Sequence, residues 1–298
     1  MTLLDGKKTA AEWRADTARR VALLKSIHGR APKLAAVLVG DDPASATYVR
    51  LKAKACEECG IRSRIVHLPA DATQQQVRDT VRRLNRNSSV DGIIVQLPLP
   101  SHLDYKDLLQ LISPGKDVDG FTPVNIGRLA LGMQCLPPAT PAGIIELLRR
   151  NGITTRGRRV AVVGRSNIVG RPMASLLMLK SDMGDATVTV CHSATPQYEL
   201  EAILRDSDII ISAVGAPGLV KAHMVRPGAI VVDVGTTRVD DPSRKSGYRL
   251  AGDVDFDNVA PKCSYITPVP GGVGPMTIAS LLHNTLTAFE RKHSGRKS

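Results

Sequence analysis

The chain has 298 residues, 43% of them hydrophobic, and a formal net charge of +12 at pH 7. No apolar run approaches the roughly 20 residues of a membrane span, and the first residues, MTLLDGKKTAAEWRAD, have neither an apolar signal core nor an acid-free transit composition. These features argue against membrane-spanning and secreted proteins, and we expect a cytoplasmic protein of two domains.

Short apolar runs alternate with helical patterns through most of the chain, which is typical of a parallel sheet covered by helices, so the predicted fold class is α/β. In the first half, the predicted strands are Lys33–Val39, Ile61–Leu68 and Gly92–Gln96. The predicted helices cover residues 7–27, 45–59, 73–86 and 104–112. Residues 98–141 are rich in proline and glycine, and we expect them to form a loop-rich connection between domains.

The second half repeats the alternation. Its predicted strands are Val160–Val163, Thr187–Cys191, Ile209–Ser212 and Ile230–Val234. Its predicted helices cover residues 141–150, 170–180, 197–205 and 276–293, the last after a second loop, ITPVPGGVGP. The pattern predicts a Rossmann-like dinucleotide-binding fold, and we expect the final helix to pack back onto the first domain.

The segment GRRVAVVGRSNIVGRP, residues 157–172, joins an apolar strand to a helix start through a glycine-containing turn. Backbone N–H groups at a helix N-terminus bind phosphate, and glycine lets the backbone approach it closely. The spacing Gly164, Ser166, Gly170 differs from the common G-x-G-x-x-G, so the motif alone is a weak signal. With its strand and helix it predicts a dinucleotide pyrophosphate site.

The end of the second strand in this half indicates which dinucleotide binds. NAD sites commonly place a carboxylate there, whereas a carboxylate would repel the 2′-phosphate of NADP. This strand ends in Cys191-His192-Ser193, and Arg165 in the turn offers a charge-assisted partner for phosphate. We therefore predict NADP, with simple solvent exposure of Arg165 and Ser193 as the alternative.

Small residues follow the next two strands, as Ala213-Val214-Gly215 and Gly235-Thr236. Ligands bind at the carboxyl edge of open parallel sheets, so we expect both turns to approach the adenosine and nicotinamide portions of the cofactor. The alternative is that glycine serves only the conformation of these turns.

Polar residues in the first half form a candidate catalytic set. Tyr48 and Lys52 are four residues apart and share one helix face, which alone is unremarkable. Gln96 ends an apolar strand with an amide that core packing explains poorly, and Asp119 lies in a glycine-bounded loop, KDVDG. The four side chains are therefore expected to converge.

The cysteines and histidines give no sign of a metal. Cys56 and Cys59 form a C-x-x-C pair, but no second pair or nearby histidine completes a zinc site, and packing is the better interpretation. The five cysteines are too few and too scattered for a disulfide framework, and the seven histidines show no H-E-x-x-H spacing. We expect reduced thiols and no metal.

The chain strongly resembles the bifunctional methylenetetrahydrofolate dehydrogenase/methenyltetrahydrofolate cyclohydrolase family. The matching segments, in the family's order from about residue 5 to residue 290, are YVRLK, DGIIVQLPLP, PGKDVDGFTPVNIGRL, PATPAGIIELL, VVGRSNIVGRPMA and TPVPGGVGPMT. The resemblance implies oxidation of 5,10-methylenetetrahydrofolate with NADP+ and hydrolysis of the product to 10-formyltetrahydrofolate.

The resemblance also implies a two-domain homodimer with folate in the cleft between the domains. The folate-binding catalytic domain would cover residues 1–138 and the NADP-binding domain residues 139–275. Residues 276–298 would form a C-terminal helix and a basic tail.

By motif match, Tyr48 would stack on folate, Lys52 would be central to the cyclohydrolase step, Gln96 would tune it, and Asp119 would hold the pterin. Further substrate contacts would come from Leu97, Pro98, Pro270, Gly271, Gly272, Val273 and Gly274. The cofactor would meet Gly164, Arg165, Ser166, Ile168, Val169, Gly170, His192, Ser193, Ala213, Val214, Gly215, Gly235 and Thr236.

The sequence departs from the family in two places. The interval before the second strand of the NADP-binding half is a few residues longer, which leaves the helix end near residues 181–185 open. Thr236-Thr237 replaces the more frequent Ile-Asn, which puts the Thr236 contact in question.

Two other functions are alternatives to this one. A dehydrogenase of another small substrate would turn over without folate. A nucleic-acid binder would use the basic surface and the basic segment 291–297, but three phenylalanines, one tryptophan and five tyrosines offer few stacking groups and no RNP-like motif is present. We expect no nucleic-acid or membrane partner, because positive charge also attracts anionic small molecules.

Overall fold

The computed structural model describes residues 1–244 and 247–295, and the chain divides into two compact units. The six-stranded unit comprises Met1–Ala10 and Thr140–Thr277, and the three-stranded unit comprises Ala11–Ala139 and the chain from Ile278 onward. The end of the predicted basic tail, residues 296–298, lies outside the described residues.

Strands and helices alternate along most of the described chain. The strands are β1 (Thr2–Leu3), β2 (Lys33–Val39), β3 (Arg62–Leu68), β4 (Gly92–Val95), β5 (Arg159–Val163), β6 (Thr187–Cys191), β7 (Ile209–Ser212), β8 (Ile230–Asp233), β9 (Thr237–Asp240), β10 (Tyr248–Ala251) and β11 (Tyr265–Ile266). The helices are α1 (Gly6–His28), α2 (Pro43–Glu58), α3 (Gln74–Arg86), α4 (Tyr105–Leu111), α5 (Pro123–Ala130), α6 (Ala139–Arg150), α7 (Gly170–Met178), α8 (Gln197–Asp206), α9 (Phe256–Val259) and α10 (Val273–His293). Short 3-10 turns lie at Pro114–Lys116, Ala222–Met224 and Ala260–Lys262.

The sheet of the three-stranded unit is parallel, in the order β3-β2-β4. Successive side chains of a strand point to opposite faces, and the central strand β2 is apolar at nearly every position because both of its faces are covered. Leu34, Ala36 and Leu38 pack in one core with residues of α2 and α10. The alternate residues Ala35, Val37 and Val39 pack in a second core with residues of α3 and α4.

Side-chain caps set the start of the two helices that flank this sheet. Asp42 accepts a hydrogen bond from the Ser45 N–H at 2.7 Å, and Pro43 supplies a fixed φ at the first position of α2. At α3, Thr73 and Gln76 cap each other's backbone N–H groups reciprocally. The caps fix where α2 and α3 begin.

The sheet of the six-stranded unit has the order β1-β11-β8-β7-β5-β6, and each of its pairings is parallel. From β5 the chain first moves to β6 on one side and then to β7 on the other. The winding therefore reverses between β5 and β7, which is where open α/β sheets bind ligands at their carboxyl edge. β9 and β10 form a separate antiparallel pair.

The predicted elements are found with ends that differ by at most three residues. The prediction for residues 98–141 is wrong in one respect, since this stretch contains α5 and a 3-10 turn besides the short helix. Thr122 Oγ1 accepts from the Asn125 N–H, and Pro123 occupies the first helical position. A proline at the first helical position favours the start of a helix, whereas the high proline content of residues 98–141 indicated a loop.

Two helix ends also differ from prediction. The final helix begins at Val273, so Val273 and Gly274 lie in its first turn and not in the preceding loop. α7 ends at Met178, before the predicted 180, and the longer segment after it folds into a turn in which the Asp185 N–H donates to Leu179 O at 2.8 Å. No helix of the described residues is long and apolar enough to span a membrane.

Candidate active site and cofactor site

Lys52 and Gln96 meet at the carboxyl end of β4. The Gln96 N–H continues the sheet by donating to Val37 O at 2.9 Å, which fixes the residue just after the strand. Lys52 Nζ, from α2, donates to Gln96 Oε1 at 3.0 Å, and Gln96 Nε2 donates to Leu97 O at 2.6 Å. Gln96 is only 9% exposed, so the buried amide is held at both ends and orients the lysine amine.

Asp119 is near enough to Lys52 for their charges to interact, and it lies in a loop whose backbone is held by the carboxylate of Asp117. The buried Asp117 accepts hydrogen bonds from the N–H groups of Gly120, Phe121 and Thr122 and from Asn125 Nδ2. Burial raises the pKa of the Asp119 carboxyl, while the Lys52 ammonium lowers it. Within the described residues, no hydrogen bond reaches the Asp119 carboxyl group, so it is available to a ligand.

Tyr48 stands one helical turn before Lys52 on α2. It is 50% exposed, and its hydroxyl forms no hydrogen bond with any part of the chain that the structure describes. The ring therefore presents a free aromatic surface on the same face as the lysine. Leu97 is partly buried and Pro98 exposed directly after Gln96, and the peptide bond between them is cis.

The predicted phosphate turn lies between β5 and α7. Gly164 has φ +120°, a conformation that suits glycine, and a Cβ there would lie 2.5 Å from Ala213 O. A Cβ on Gly170 would lie 2.1 Å from Gly164 O. Ser166 Oγ accepts from the N–H groups of Val169 and Gly170 at 3.1 and 3.4 Å.

This closed turn fits a phosphate-containing cofactor. Both glycines are required sterically, the turn leads directly into α7, and the backbone can approach a ligand without side chains in the way. Arg165 and Ile168 are exposed beside it. The described residues thus fit the predicted dinucleotide pyrophosphate.

The other predicted cofactor residues follow β6, β7 and β8 at the same edge of the sheet. After β6, the His192 N–H donates to Thr195 Oγ1 at 3.0 Å, His192 Nδ1 accepts from the Ala194 N–H at 3.2 Å, and Ser193 is exposed. Ala213, Val214 and Gly215 follow β7, and Gly235 and Thr236 follow β8. Because the strands are parallel, the structure brings these residues together with the phosphate turn along one edge.

Two buried carboxylates that the sequence analysis did not identify tie these turns together. Asp253 is fully buried and accepts from Ser212 Oγ at 3.1 Å and from the N–H groups of Val214 and Ala216 at 2.8 and 2.9 Å. Asp233 accepts from the N–H groups of Gly235, Asp253 and Val254, each at 2.9 Å. The backbone after β7 and β8 is therefore held by charge-assisted hydrogen bonds.

Burial raises the pKa of Asp233 to about 6, against the effect of its backbone hydrogen bonds, and the neighbouring Asp253 raises it further. No ion pair to either acid occurs among residues 1–244 and 247–295. A Cβ on Gly235 would lie 2.3 Å from Asp253 Oδ1, which is why glycine stands there. The sequence contained one signal for Asp253. This acid stands between glycine and valine in AGDVDF, and solvent exposure explains an acid poorly at such a position.

The segment Pro270–Gly274 belongs to the six-stranded unit and forms a tight turn into α10. The Gly272 N–H donates to Pro268 O at 2.9 Å, and a Cβ on Gly272 would lie 2.7 Å from that oxygen. Gly271 has φ +110°, and its carbonyl accepts from the Lys7 N–H at 3.1 Å. Pro270 and Gly274 are exposed, whereas Val273 is buried.

The described residues contain no cluster of three or more His, Cys, Asp or Glu side chains that could hold a metal ion. All five cysteines are free thiols. Burial raises the pKa of Cys56 to about 12 and that of Cys59 to about 11, so both are protonated and unreactive near neutral pH. The C-x-x-C pair has the properties of packing residues.

Comparison with known proteins identifies the family of the chain that contains the Lys52 site and the phosphate turn. Residues 4–119 match the catalytic domain of tetrahydrofolate dehydrogenase/cyclohydrolase, and residues 138–293 match the NAD(P)-binding domain of the same enzyme. The chain belongs to the tetrahydrofolate dehydrogenase/cyclohydrolase family. Lys52, Gln96 and Asp119 lie within or at the end of the match to the catalytic domain, and the phosphate turn lies within the match to the NAD(P)-binding domain.

Curated relatives in this family cover the chain almost completely. The bifunctional protein FolD of Bacteroides fragilis is 54% identical over 291 residues, which are 98% of this chain and 99% of that protein. The bifunctional protein FolD of Prosthecochloris aestuarii is 52% identical over 99% of this chain and 100% of its own length.

Solved structures agree. The bifunctional methylenetetrahydrofolate dehydrogenase/cyclohydrolase FolD of Campylobacter jejuni superposes with a TM-score of 0.91 at 48% identity, covering 98% of this chain and 99% of its own. The FolD of Trypanosoma brucei, solved with NADP cofactor and inhibitor, has a TM-score of 0.92 at 46% identity. The match covers 100% of this chain and 99% of the Trypanosoma chain. A shikimate 5-dehydrogenase of Listeria monocytogenes, at 13% identity and a TM-score of 0.50, shares the fold alone.

These matches confirm the family, the two-domain α/β fold class and the bifunctional dehydrogenase and cyclohydrolase activity that the sequence analysis predicted. A cofactor of the NAD(P) class is confirmed with them. The roles of individual site residues and the domain limits 1–138, 139–275 and 276–298 stay predictions.

Proposed function

We propose that the chain oxidises 5,10-methylenetetrahydrofolate to 5,10-methenyltetrahydrofolate with NADP+ and then hydrolyses the product to 10-formyltetrahydrofolate. The observation that carries the proposal is the hydrogen bond of 3.0 Å from Lys52 Nζ to Gln96 Oε1, with Asp119 near enough to Lys52 for their charges to interact. A buried amide that holds a lysine near an acid supports a role in proton transfer, because packing alone would favour apolar side chains there. Folate would be bound by the domain of residues 1–138 and NADP by that of residues 139–275.

In the first step, a hydride leaves the one-carbon bridge and the adjacent folate nitrogen stabilises the resulting cation. Bound NADP+ supplies the hydride acceptor. No protein base is needed, so the residues around the substrate contribute position. Tyr48 would stack on the substrate, and Asp119 would accept hydrogen bonds from the amino and ring nitrogens of the pterin. Leu97, Pro98 and Pro270–Gly274 are proposed as further substrate contacts.

In the second step, water attacks the methenyl carbon. Lys52 accepts a proton from the water as the C–O bond forms, and it returns a proton to the folate nitrogen as the C–N bond breaks. Gln96 would keep the amine aimed at the reacting atoms, because its own orientation is fixed by the carbonyl of Leu97. The same lysine thus acts as base and then as acid.

For NADP over NAD, the support comes from the end of β6. No carboxylate follows the strand, Ser193 is exposed there, and the exposed Arg165 stands in the phosphate turn. A hydroxyl and a guanidinium favour a 2′-phosphate, whereas an acid would repel it. The remaining cofactor contacts are proposed at Gly164, Ser166, Ile168, Val169, Gly170, His192, Ala213–Gly215, Gly235 and Thr236.

We also propose that the protein is a cytoplasmic homodimer without a nucleic-acid or membrane partner. Five free thiols suit a reducing compartment. The family resemblance supports the homodimer.

The decisive experiment is a spectrophotometric assay of the purified chain with methylenetetrahydrofolate and either NADP+ or NAD+. We expect NADPH production and a clear preference for NADP+. Absence of NADPH production would overturn the proposal, and turnover of a small hydroxy acid without folate would favour the rival dehydrogenase.

Lys52→Met separates the two steps, since it removes the amine but keeps the length and apolar stem of the side chain. We expect loss of methenyltetrahydrofolate hydrolysis with part of the dehydrogenase activity retained. Lys54→Met, which alters an exposed lysine on the same helix, is the matched control and should retain both activities. Equal loss of both activities in Lys52→Met with folate binding intact would contradict the assigned role.

A further inference from the structure

The three-stranded unit contains a cavity of about 380 Å³ that the proposed reaction does not use. Its walls come from the residues before β4, from the 3-10 turn before the KDVDG loop, from α5 and from α10. Asp91 precedes β4 and lines the cavity, whereas Gln96 follows β4. The cavity and the Lys52 site therefore lie at opposite ends of β4, because Asp91 and Gln96 are five residues, or about 17 Å, apart along the strand direction.

Positive charge dominates the lining. Lys116, Arg128, Arg291 and Lys292 face the cavity, against the single carboxylate of Asp91. That carboxylate is already paired: Arg30 binds both of its oxygens, at 2.7 and 2.8 Å, and the Lys33 N–H donates to it at 3.0 Å. The lining therefore carries a positive charge that nothing in it balances.

Two of the four cations are committed to structural contacts. Lys116 Nζ donates to the carbonyls of Leu84, Asn85 and Asn87 at the end of α3. Lys292 Nζ lies 3.4 Å from Asp91 and also donates to Ser88 O. These two residues supply charge to the cavity but few free donors.

The two arginines have donors to spare. Arg291 Nη2 donates to Cys135 O at 2.9 Å, but its Nε is buried with no hydrogen-bond partner. The Arg128 side chain forms no hydrogen bond or ion pair within residues 1–244 and 247–295. The Arg128 guanidinium and Arg291 Nη1 therefore have N–H donors without an acceptor in the described structure, and an oxyanion in the cavity would supply one.

Electrostatics agree with the geometry. Burial lowers the pKa of Lys116 to about 8, and Lys292 lowers it further. Burial lowers the pKa of Arg291, Cys135 acts in the opposite direction, and the nearby Arg128 lowers it further. The cations repel one another across the cavity, and a bound anion would relieve that repulsion.

We propose that this cavity is a binding site for the phosphate group of a small molecule, held by Arg128 and Arg291. Planar guanidinium groups donate several hydrogen bonds to tetrahedral oxyanions, and a phosphate monoester carries about −1.5 to −2 charges at pH 7. The volume suits a small ligand such as inorganic phosphate or a sugar phosphate. The site is separate from the folate and NADP contacts, and it does not depend on the proposed reaction.

The test is calorimetric titration of the full chain with inorganic phosphate and with glucose 6-phosphate, at constant ionic strength in KCl. We expect saturable binding of at least one of the two, and the tighter of the two identifies the source of the phosphate group. Arg128→Gln should weaken this binding at least about tenfold, because a charged hydrogen-bond pair is lost. Arg62→Gln, which makes the same change on the exposed strand β3, is the control and should bind as the wild type does.

Arg128→Glu gives a second readout that does not require the ligand. A carboxylate at this position would face Arg291 and Lys116, so we expect a higher unfolding midpoint without phosphate and loss of the increase that phosphate produces in the wild type. Unchanged phosphate binding in Arg128→Gln would overturn the proposal. So would absence of binding by the wild type at 10 mM ligand, or equally tight binding of glutarate.

Discussion

Gln96 connects the backbone of β4 to the amine of Lys52 through a single buried amide. One end of that amide accepts from the lysine at 3.0 Å and the other donates to Leu97 O. An amide whose oxygen and nitrogen both form hydrogen bonds is held in one orientation, and this fixes the position of the Lys52 amine. In the proposed mechanism Gln96 would be a positioning residue, and we expect its contribution to be confined to the step that uses the amine.

Replacing Gln96 with leucine tests this assignment. The apolar side chain fills similar space but leaves Lys52 without its acceptor, and we expect cyclohydrolase kcat to fall by roughly 10- to 100-fold, the worth of one charged hydrogen bond. The dehydrogenase rate, which needs no protein base, should fall much less. Steady-state assays of the two activities give the ratio.

The control for this substitution is Gln75→Leu, which removes an exposed amide that bonds only Asp79 on α3. It should leave both rates near the wild-type values. A Gln96→Leu enzyme that lost both activities in parallel would show that the residue supports the fold of the site and not the proton transfer.

At this scale the sequence predicted that Lys52 and Gln96 come together, and the structure shows the hydrogen bond between them. Gln96 stood out because core packing explains an amide there poorly, whereas the roles of Lys52 and Asp119 rest on motif match and stay predictions. Asp117 and Asp253 were missed because their partners are backbone N–H groups, and a sequence does not show which N–H groups lack a partner. Sequence patterns indicated the chemistry, whereas the acids that hold the backbone emerged only from the structure.

The predicted phosphate site between β5 and α7 is built from backbone geometry and not from a particular side chain. The chain leaves β5 at Gly164, passes against the carbonyl of Ala213 after β7, and enters α7 at Gly170. The close approach of two strand ends at the point where the sheet reverses its winding explains the unusual glycine spacing.

Gly164→Ala should therefore disable the turn. Its Cβ would lie 2.5 Å from Ala213 O, and alanine disfavours φ near +120° by about 1–3 kcal/mol. We expect the KM for NADP+ to rise at least about tenfold, while hydrolysis of added methenyltetrahydrofolate continues. Gly157→Ala is the matched control, because Gly157 also has positive φ but a Cβ there meets nothing within 4 Å. An equal rise of KM in both variants would contradict the steric explanation.

Most helices and strands were predictable because apolar periodicity and glycine or proline punctuation agree in an α/β chain. The exceptions have physical causes. α5 begins at a proline in a segment whose proline content indicates a loop, and β1, β9, β10, β11 and α9 are only two to four residues long, too short for periodicity to identify them. Pairing partners of that kind are determined by tertiary contacts.

For the molecule as a whole, the buried Asp233 should contribute to the pH dependence of stability. Burial raises the pKa of Asp233 from 3.8 to about 6, so the folded chain holds that proton more tightly than the unfolded chain does. The contribution of Asp233 to stability is thus greatest at low pH and declines as pH rises from about 4 to 6. The decline amounts to about 3 kcal/mol.

Urea unfolding of the wild type and Asp233→Asn between pH 4 and pH 7 measures this contribution. Asparagine does not titrate, so the free energy of unfolding of the wild type minus that of the variant should fall by up to about 3 kcal/mol across the range. The absolute difference will also reflect the hydrogen bonds that asparagine cannot accept. A difference that stays constant with pH would falsify the assignment.

The turn after β6 stands apart from this arrangement. Its hydrogen bonds stay within His192–Thr195 in the described structure, while Asp253 and Asp233 bind the backbone that follows β7 and β8. Substitutions at Ser193 therefore disturb neither buried acid nor the phosphate turn. The part of the proposed NADP preference that Ser193 would supply can therefore be altered without disturbing the backbone that Asp233 and Asp253 hold, whereas the part that Arg165 would supply lies in the phosphate turn itself.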